Sequence, residues 1–159
     1  MSKKHILFVC LGNICRSPAA EAVMVAKLKS SKLDHLYSCD SAGIIGFHAG
    51  AKADPRMCKQ AQERGYSVTS LSRQVRPEVD FDKFDLIVAM DDQNVRDLTK
   101  LTRSDSDRKK IVKITDFSAD SSYTVVPDPY YGTIADFDLV LDILEQSCDG
   151  LVNFLTAKN

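Results

Sequence analysis

Two cysteines, a glycine, an asparagine and an arginine stand together in the stretch CLGNICRSP, which begins at Cys10. Cys10 ends an apolar run, and Arg16 follows six residues later, where a helical pattern starts. The five-residue loop between them can wrap its backbone N–H groups around a tetrahedral anion, because Gly12 and Asn13 tolerate the left-handed backbone that such a loop requires. The guanidinium of Arg16 can bind two oxygens of a phosphoryl group at once. The stretch therefore predicts a phosphate-binding loop with a thiol at its base.

The same positive groups make Cys10 a candidate nucleophile. Loop N–H groups, the N-terminus of the following helix and Arg16 all favour a thiolate over a thiol at this position. Phosphoryl transfer to sulfur also needs a proton for the leaving oxygen. The segment VVPDPYYG offers Asp128 between two prolines, which stiffen the chain, and Tyr130 and Tyr131 follow as flat apolar surfaces suited to an aryl group. Spacing alone does not bring Asp128 next to Cys10.

Composition limits the classes of protein to consider. The 159 residues suffice for one domain with a sizeable core, and a net charge of -1 gives no general affinity for nucleic acid or anionic membranes. Five cysteines at irregular spacing do not form a disulfide framework and indicate a reducing compartment. No segment approaches the roughly 20 apolar residues of a membrane span, and the start MSKKHILFVCLG lacks a signal-peptide cleavage site. We therefore expect a soluble cytoplasmic protein.

Alternating strands and helices predict the elements that would position these residues. The pattern indicates strands over 5–10, 37–43 and 84–90 and a weaker one within 109–117. The predicted helices cover 17–29, with Ser17 as its cap and Pro18 at its first position, 54–65, a short segment capped by Asp91, and a final segment from Thr133. This order predicts a three-layer α/β domain with a parallel sheet, whose ligands bind beyond the carboxyl ends of the strands.

Taken together, CLGNICRSP after a buried strand and DPYYG near the C-terminus resemble the low-molecular-weight protein tyrosine phosphatases. The segments DSAG, DPR, SRQ and FDLIVAMD, with Asn94, Arg96 and Asp97, extend the resemblance over essentially the whole chain. It implies one phosphatase domain over residues 1–159 and a flavodoxin-like four-stranded parallel sheet in the order 2-1-3-4. It also implies phosphotyrosine-containing proteins or peptides as substrates, phosphate and related oxyanions as inhibitors, and no metal or cofactor.

The resemblance also assigns roles. Cys10 would be the nucleophile, Arg16 the phosphate clamp and transition-state stabiliser, and Asp128 the general acid and then the base for the hydrolytic water. Asn13 would hold the unusual backbone of the loop, and Ser17 would donate a hydrogen bond to the Cys10 thiolate. The anion would be bound by the loop, residues Leu11, Gly12, Asn13, Ile14 and Cys15. The aryl group would lie in a slot lined by Leu11, Ile14, Phe47, Tyr130 and Tyr131.

Three positions bear on specificity and on support of the loop. Relatives commonly have a tryptophan where this chain has Phe47, and some have a histidine supporting the loop asparagine where Ser70 aligns. Related phosphatases that act on phosphoarginine have a threonine at the position of Ile14, so Ile14 favours phosphotyrosine.

Two other functions remain open at this point. An arsenate reductase on the same fold would need a thiol relay, and residues 81–102 contain no cysteine. A non-catalytic anion-binding or redox-sensing module could use Cys10 and Cys15, although Asp128 would then have no role. Cys15 itself could either pack beneath the loop or act as a resolving thiol. Cys39, Cys58 and Cys148 are expected to be core residues.

Overall fold

The computed structural model describes residues 2–157 and has the predicted three-layer α/β architecture. Four parallel strands form one sheet in the order β2-β1-β3-β4. The strands are β1 (Lys4–Cys10), β2 (Tyr37–Gly43), β3 (Leu86–Ala89) and β4 (Ile111–Lys113). The helices are α1 (Arg16–Ser30), α2 (Pro55–Glu63), α3 (Pro77–Lys83), α4 (Asp92–Leu101), α5 (Asp105–Arg108) and α6 (Ile134–Ala157), with a 3-10 turn at Ile114–Phe117.

Alternation along the central strand β1 divides the core into two halves. Ile6 and Phe8 face one side, where α1, α2 and α6 cover the sheet, while Leu7 and Val9 face the other side with α3 and α4. Successive side chains of a strand point to opposite faces, so a strand covered on both faces must be apolar throughout. This explains the uninterrupted apolar run ILFVC. Because β1 is an interior strand of the sheet, its carboxyl end lies between those of β2 and β3. Among residues 2–157, no helix is long and apolar enough to cross a membrane.

The start of α1 differs from the prediction. The helix begins at Arg16 with Cys15 at the cap position, where no side chain caps it, so Ser17 is not the N-cap and Pro18 is not the first helical residue. The physical reason is that the Ser17 hydroxyl has other partners, Cys10 and Asn13.

Other helix ends agree with the sequence. Asp54 accepts a hydrogen bond from the Arg56 backbone N–H at the start of α2, and Asp91 accepts one from Asn94 at the start of α4. At the start of α6, Asp136 accepts from the backbone N–H of Thr133 at 2.7 Å.

Two short helices were not predicted. Helix α3 has few apolar positions, and its main local signal is Pro77 at the first position. The segment 103–110 mixes charges of both signs without a periodic apolar pattern, which is typical of a solvated connection, but it contains α5, with Ser104 as its cap and a buried Asp107 that binds Arg103. The fourth strand lies within the predicted segment 109–117 and is short, because the chain turns into the 3-10 helix after Lys113.

Candidate active site

Cys10 lies at the carboxyl end of β1, at the base of the loop formed by residues 11–15. Its side chain is buried, and its Sγ atom is 3.0 Å from the hydroxyl of Ser17 and 3.3 Å from the backbone nitrogen of Asn13, which donates to it. Hydrogen-bond donors directed at sulfur stabilise a thiolate. The loop and the first turn of α1 thus each place one polar group beside the sulfur.

Asn13 gives the loop its shape. Its backbone has a φ of 58°, in the left-handed region that asparagine tolerates better than most residues. The side-chain amide donates to Ser17 at 2.8 Å and to Ser41 at 3.0 Å, and its oxygen accepts from the backbone N–H of Arg73 at 3.0 Å. Ser70, which aligns with a supporting histidine in some relatives, makes none of these three contacts with Asn13.

Arg16 is almost fully buried beside the loop. Its Nη1 donates to a carboxylate oxygen of Asp91 at 2.6 Å and to the carbonyl of Val126 at 3.1 Å, and its Nη2 is 3.8 Å from Asp128. Burial opposes the charged form, but the nearby Cys10 and Asp91 outweigh it and raise the pKa of Arg16. The guanidinium is therefore held as a cation at the end of the sheet.

Asp128 reaches the same place from the other end of the chain. Val126 donates its N–H to the carbonyl of Met90, directly after β3, and so attaches the segment to the carboxyl edge of the sheet. The Asp128 side chain is about half exposed, and one of its oxygens accepts from the backbone N–H of Tyr130 at 3.1 Å. The carboxyl group thus lines the same cleft as Cys10 and Arg16.

The cleft is a cavity of about 290 Å³ with mostly apolar sides. Phe47 and Tyr131 are largely exposed at its rim, with 83% and 96% of their surface accessible. The ring of His48 packs edge-on against Phe47, and a Cβ atom on Gly12 would lie 3.1 Å from it, so this close approach favours glycine. The lining residues are Cys10, Leu11, Gly12, Ile14, Cys15, Arg16, Ile45, Phe47, His48, Asp128, Tyr130 and Tyr131.

Every residue singled out for the site therefore lies at this cleft or directly beneath it. Asn13 and Ser17 are the two beneath the loop, where both are buried. Sequence reasoning missed the cleft residues Ile45 and His48, because they belong to an irregular loop without periodicity.

Sequence reasoning also missed residues that support Arg16 and the loop. Asp91 was interpreted only as a helix cap, although it stands at the end of a buried strand, where the sheet edge would bring it to Arg16. Ser72 is a second supporting residue, because its hydroxyl donates to the carbonyl of Gly12 at 3.0 Å.

Cys15 has a different environment from Cys10. Its thiol is buried and contacts Asp54, and burial together with this carboxylate raises the pKa of Cys15 well above its ordinary value. The thiol form of Cys15 is therefore strongly favoured. Asp54 is in turn bound by Arg56, whose hydrogen bond lowers the pKa of the Asp54 carboxyl.

Comparison with known proteins gives one consistent family. A family model described as low molecular weight phosphotyrosine protein phosphatase matches residues 5–159. The chain is 46% identical to a protein tyrosine phosphatase from Entamoeba histolytica solved with Hepes in its active site, with a TM-score of 0.95 and coverage of 98% of this chain and 99% of that one.

Two sequence relatives agree with this structural match. A low molecular weight protein-tyrosine-phosphatase from Streptomyces coelicolor is 38% identical over 93% of this chain and 91% of its own length. A human low molecular weight phosphotyrosine protein phosphatase is 34% identical over 91% of each chain.

Proposed function

The chain belongs to the low molecular weight phosphotyrosine protein phosphatase family, and from this premise we propose that it hydrolyses phosphotyrosine in proteins or peptides through a cysteinyl-phosphate intermediate. One observation carries the proposal. Cys10, Arg16 and Asp128, which come from opposite ends of the chain, line a single cleft. A nucleophile, a cation for the phosphoryl oxygens and a proton donor are together what phosphoryl transfer to sulfur requires.

In the first step, the Cys10 thiolate attacks phosphorus while the bond from phosphorus to the aryl oxygen breaks. Asp128 gives its proton to that oxygen, so the leaving group departs as a neutral phenol. Arg16 and the loop N–H groups bind the three equatorial oxygens, on which charge is spread in the transition state. The burial of Arg16 strengthens this interaction, because little water competes for the guanidinium.

In the second step, water attacks the cysteinyl-phosphate and the S–P bond breaks. Asp128, now ionised, takes a proton from the water, and Cys10 leaves as a thiolate. Ser17 and the N–H of Asn13 stand within hydrogen-bond reach of that sulfur and lower the energy of its anionic form. One carboxyl group thus serves both steps, and the protons balance over the cycle.

The test is turnover of an aryl phosphate in the presence of a chelator, with Cys10→Ser and Asp128→Asn beside the parent. Cys10→Ser should abolish turnover while inorganic phosphate still binds, because the loop and Arg16 remain. Asp128→Asn should slow phenyl phosphate about 100-fold and p-nitrophenyl phosphate much less, since the nitrophenolate leaves without a proton. Turnover by Cys10→Ser at the parent rate would overturn the proposal.

The shape of the cleft supports the choice of phosphotyrosine. Its apolar sides, with Ile14, Phe47 and Tyr131 among them, suit a flat ring, and phosphoserine has no ring to contact them. Three peptides that differ only in carrying phosphotyrosine, phosphoserine or phosphoarginine test this selectivity. We expect kcat/KM to be highest for phosphotyrosine by at least about tenfold. Comparable values for phosphoserine would refute an aryl slot.

A further inference from the structure

Arg56, in the first turn of α2, joins three parts of the molecule without belonging to the loop that binds the anion. Its Nε and Nη2 donate to the two oxygens of Asp54 at 3.1 and 2.8 Å. Nη2 also donates to the backbone carbonyl of Tyr130 at 2.9 Å. The guanidinium carbon lies 4.6 Å from the ring centre of Phe137 in α6 and 5.7 Å from that of Tyr130. Arg56 therefore connects α2, α6 and the segment that carries Asp128.

That segment, residues 125–132, has no regular secondary structure. At its beginning, the N–H of Val126 donates to the carbonyl of Met90 at the end of β3, and the carbonyl of Val126 accepts from the side chain of Arg16 in α1. Pro127 and Pro129 have no N–H group to donate, so backbone anchoring near Asp128 depends on the residues that follow. Tyr130 provides this anchoring, because both its backbone N–H and its backbone carbonyl form hydrogen bonds.

The two groups of Tyr130 connect Asp128 to Arg56. The N–H of Tyr130 donates to Asp128 Oδ1 at 3.1 Å, and the carbonyl of the same residue accepts from Arg56. One residue thus lies between the carboxyl group and the guanidinium, and each side of it is fixed by a hydrogen bond. Because Asp54 is itself nearly buried and binds Arg56 through both oxygens, the guanidinium has little freedom to move.

We propose that Arg56 is a positioning residue for proton transfer, which orients Asp128 over the cleft by holding the backbone of Tyr130. The proposal rests on the function proposed above. Without Arg56 the carbonyl of Tyr130 loses this donor, and the segment gains conformations in which Asp128 points away from the leaving oxygen. Misplacing a catalytic group by about 1 Å can reduce rates by about 100-fold. The loss must fall on the step that needs the proton.

Arg56→Met tests this, because methionine keeps an unbranched apolar side chain against Phe137 but lacks donors. We expect kcat for phenyl phosphate to fall at least about tenfold and kcat for p-nitrophenyl phosphate to fall less than about threefold. A variant that merely lost folded protein would lose both rates by the same factor, so the ratio of the two separates positioning from stability. Arg56→Lys, which keeps the charge but not the planar fork, should give a smaller shift of the ratio in the same direction.

The matched control is Arg64→Met. Arg64 follows the same helix and also joins α2 to α6, through Asp142 at 2.9 Å and the backbone carbonyl of Asp138 at 3.1 Å. It makes the same kind of contact without touching the segment that carries Asp128. Arg64→Met should therefore leave the ratio of the two rates at the parent value, whatever it does to stability.

The double variant Asp128→Asn with Arg56→Met identifies the residue through which Arg56 acts. If it acts through Asp128, adding Arg56→Met to Asp128→Asn should cost less than about twofold further in kcat for phenyl phosphate. An additive loss, or an unchanged rate ratio in both Arg56→Met and Arg56→Lys, would overturn the inference. If Asp128→Asn alone slowed both substrates equally, Asp128 would not be the general acid. That result would contradict the proposed function itself, and it differs from the results that would contradict the role of Arg56.

Discussion

Asp91→Asn removes one charge at the site and leaves nearly everything else in place. Asp91 uses its two oxygens for different partners, one for the N–H of Asn94 at 2.7 Å, which caps α4, and one for Arg16 at 2.6 Å. Asparagine has the same shape and is an equally good N-cap residue, so the helix keeps its cap. The changed interaction is with Arg16, which would face a neutral amide in place of a carboxylate.

The burial of the pair sets the size of the effect. The side chain of Arg16 is only 4% exposed, whereas that of Asp91 is 24% exposed. Hydrogen bonds to charged groups contribute about 1.5–3 kcal/mol, and breaking a fully buried pair costs about 3–5 kcal/mol. Because Asp91 is partly solvated and Arg16 retains the Val126 carbonyl and Asp128, we expect the free energy of unfolding to fall by about 2 kcal/mol.

The same change should weaken anion binding. Asp91 fixes the orientation of the Arg16 side chain, and each 1.4 kcal/mol of lost transition-state stabilisation is about a tenfold loss of rate. We therefore expect kcat/KM for an aryl phosphate to fall about 10- to 100-fold, together with weaker competitive inhibition by inorganic phosphate. Urea unfolding and inhibition kinetics on the same preparations measure both effects.

Asp92→Asn is the matched control, one residue further along the chain. Asp92 pairs with Lys113 at 2.9 Å, but its side chain is 60% exposed, so its ion pair should contribute less than about 1 kcal/mol and nothing to the cleft. If Asp91→Asn changed the free energy of unfolding by no more than about 0.5 kcal/mol and left phosphate inhibition at the parent value, Asp91 would not be the anchor of Arg16.

Three further predictions concern other parts of the molecule. Peroxide should oxidise Cys10 to a sulfenic acid, and Cys15 should condense with it to a disulfide with loss of water, slowly because the raised pKa of Cys15 keeps its reactive thiolate scarce. The parent should then recover activity with a dithiol and Cys15→Ser should not; equal recovery would make Cys15 a packing residue. Arg103 lowers the pKa of Asp107 to about 2, so its contribution to stability is present above the unfolded value of 3.8 and is lost as pH falls toward 2. Asp107→Asn should therefore be less stable than the parent to urea at pH 5, with the gap narrowing as the pH falls from about 4 through 2. Gly150→Ala should cost at least about 2 kcal/mol in thermal or urea unfolding, since its Cβ would overlap the backbone carbonyl of Phe117, and an unchanged melting temperature would contradict this packing.

Local signals were sufficient for the core of the fold. The apolar runs ending at Cys10 and near Met90, with helices between the strands, predicted the parallel sheet, and the strand order 2-1-3-4 implied by the family resemblance is the observed one. Asp54 and Asp91 were recognisable as caps because a cap acts within three residues of itself. Apart from the strand order, each of these inferences depends on neighbours in sequence.

Tertiary partners could not be obtained in this way. Ser17 has the residue type and position of a cap, yet its hydroxyl is used by Cys10 and Asn13, which only the folded loop brings within reach. Ser41 stands in a strand, and nothing about its type distinguishes it from a surface serine until the sheet places β2 beside β1. Such residues can be recognised from the sequence only by considering together all polar residues near the carboxyl ends of neighbouring parallel strands.

The side chain of Asn13 supports the unusual backbone of the loop. A left-handed backbone at a residue other than glycine costs about 1 kcal/mol or more, and it persists only where surrounding contacts compensate. Here Ser17, Ser41 and the backbone of Arg73 bind the Asn13 side chain. Each contact comes from a different segment of the fold, so three parts of the molecule support one loop residue. Support of that kind raises affinity for an anion, because it lowers the entropic cost of holding the loop in one conformation.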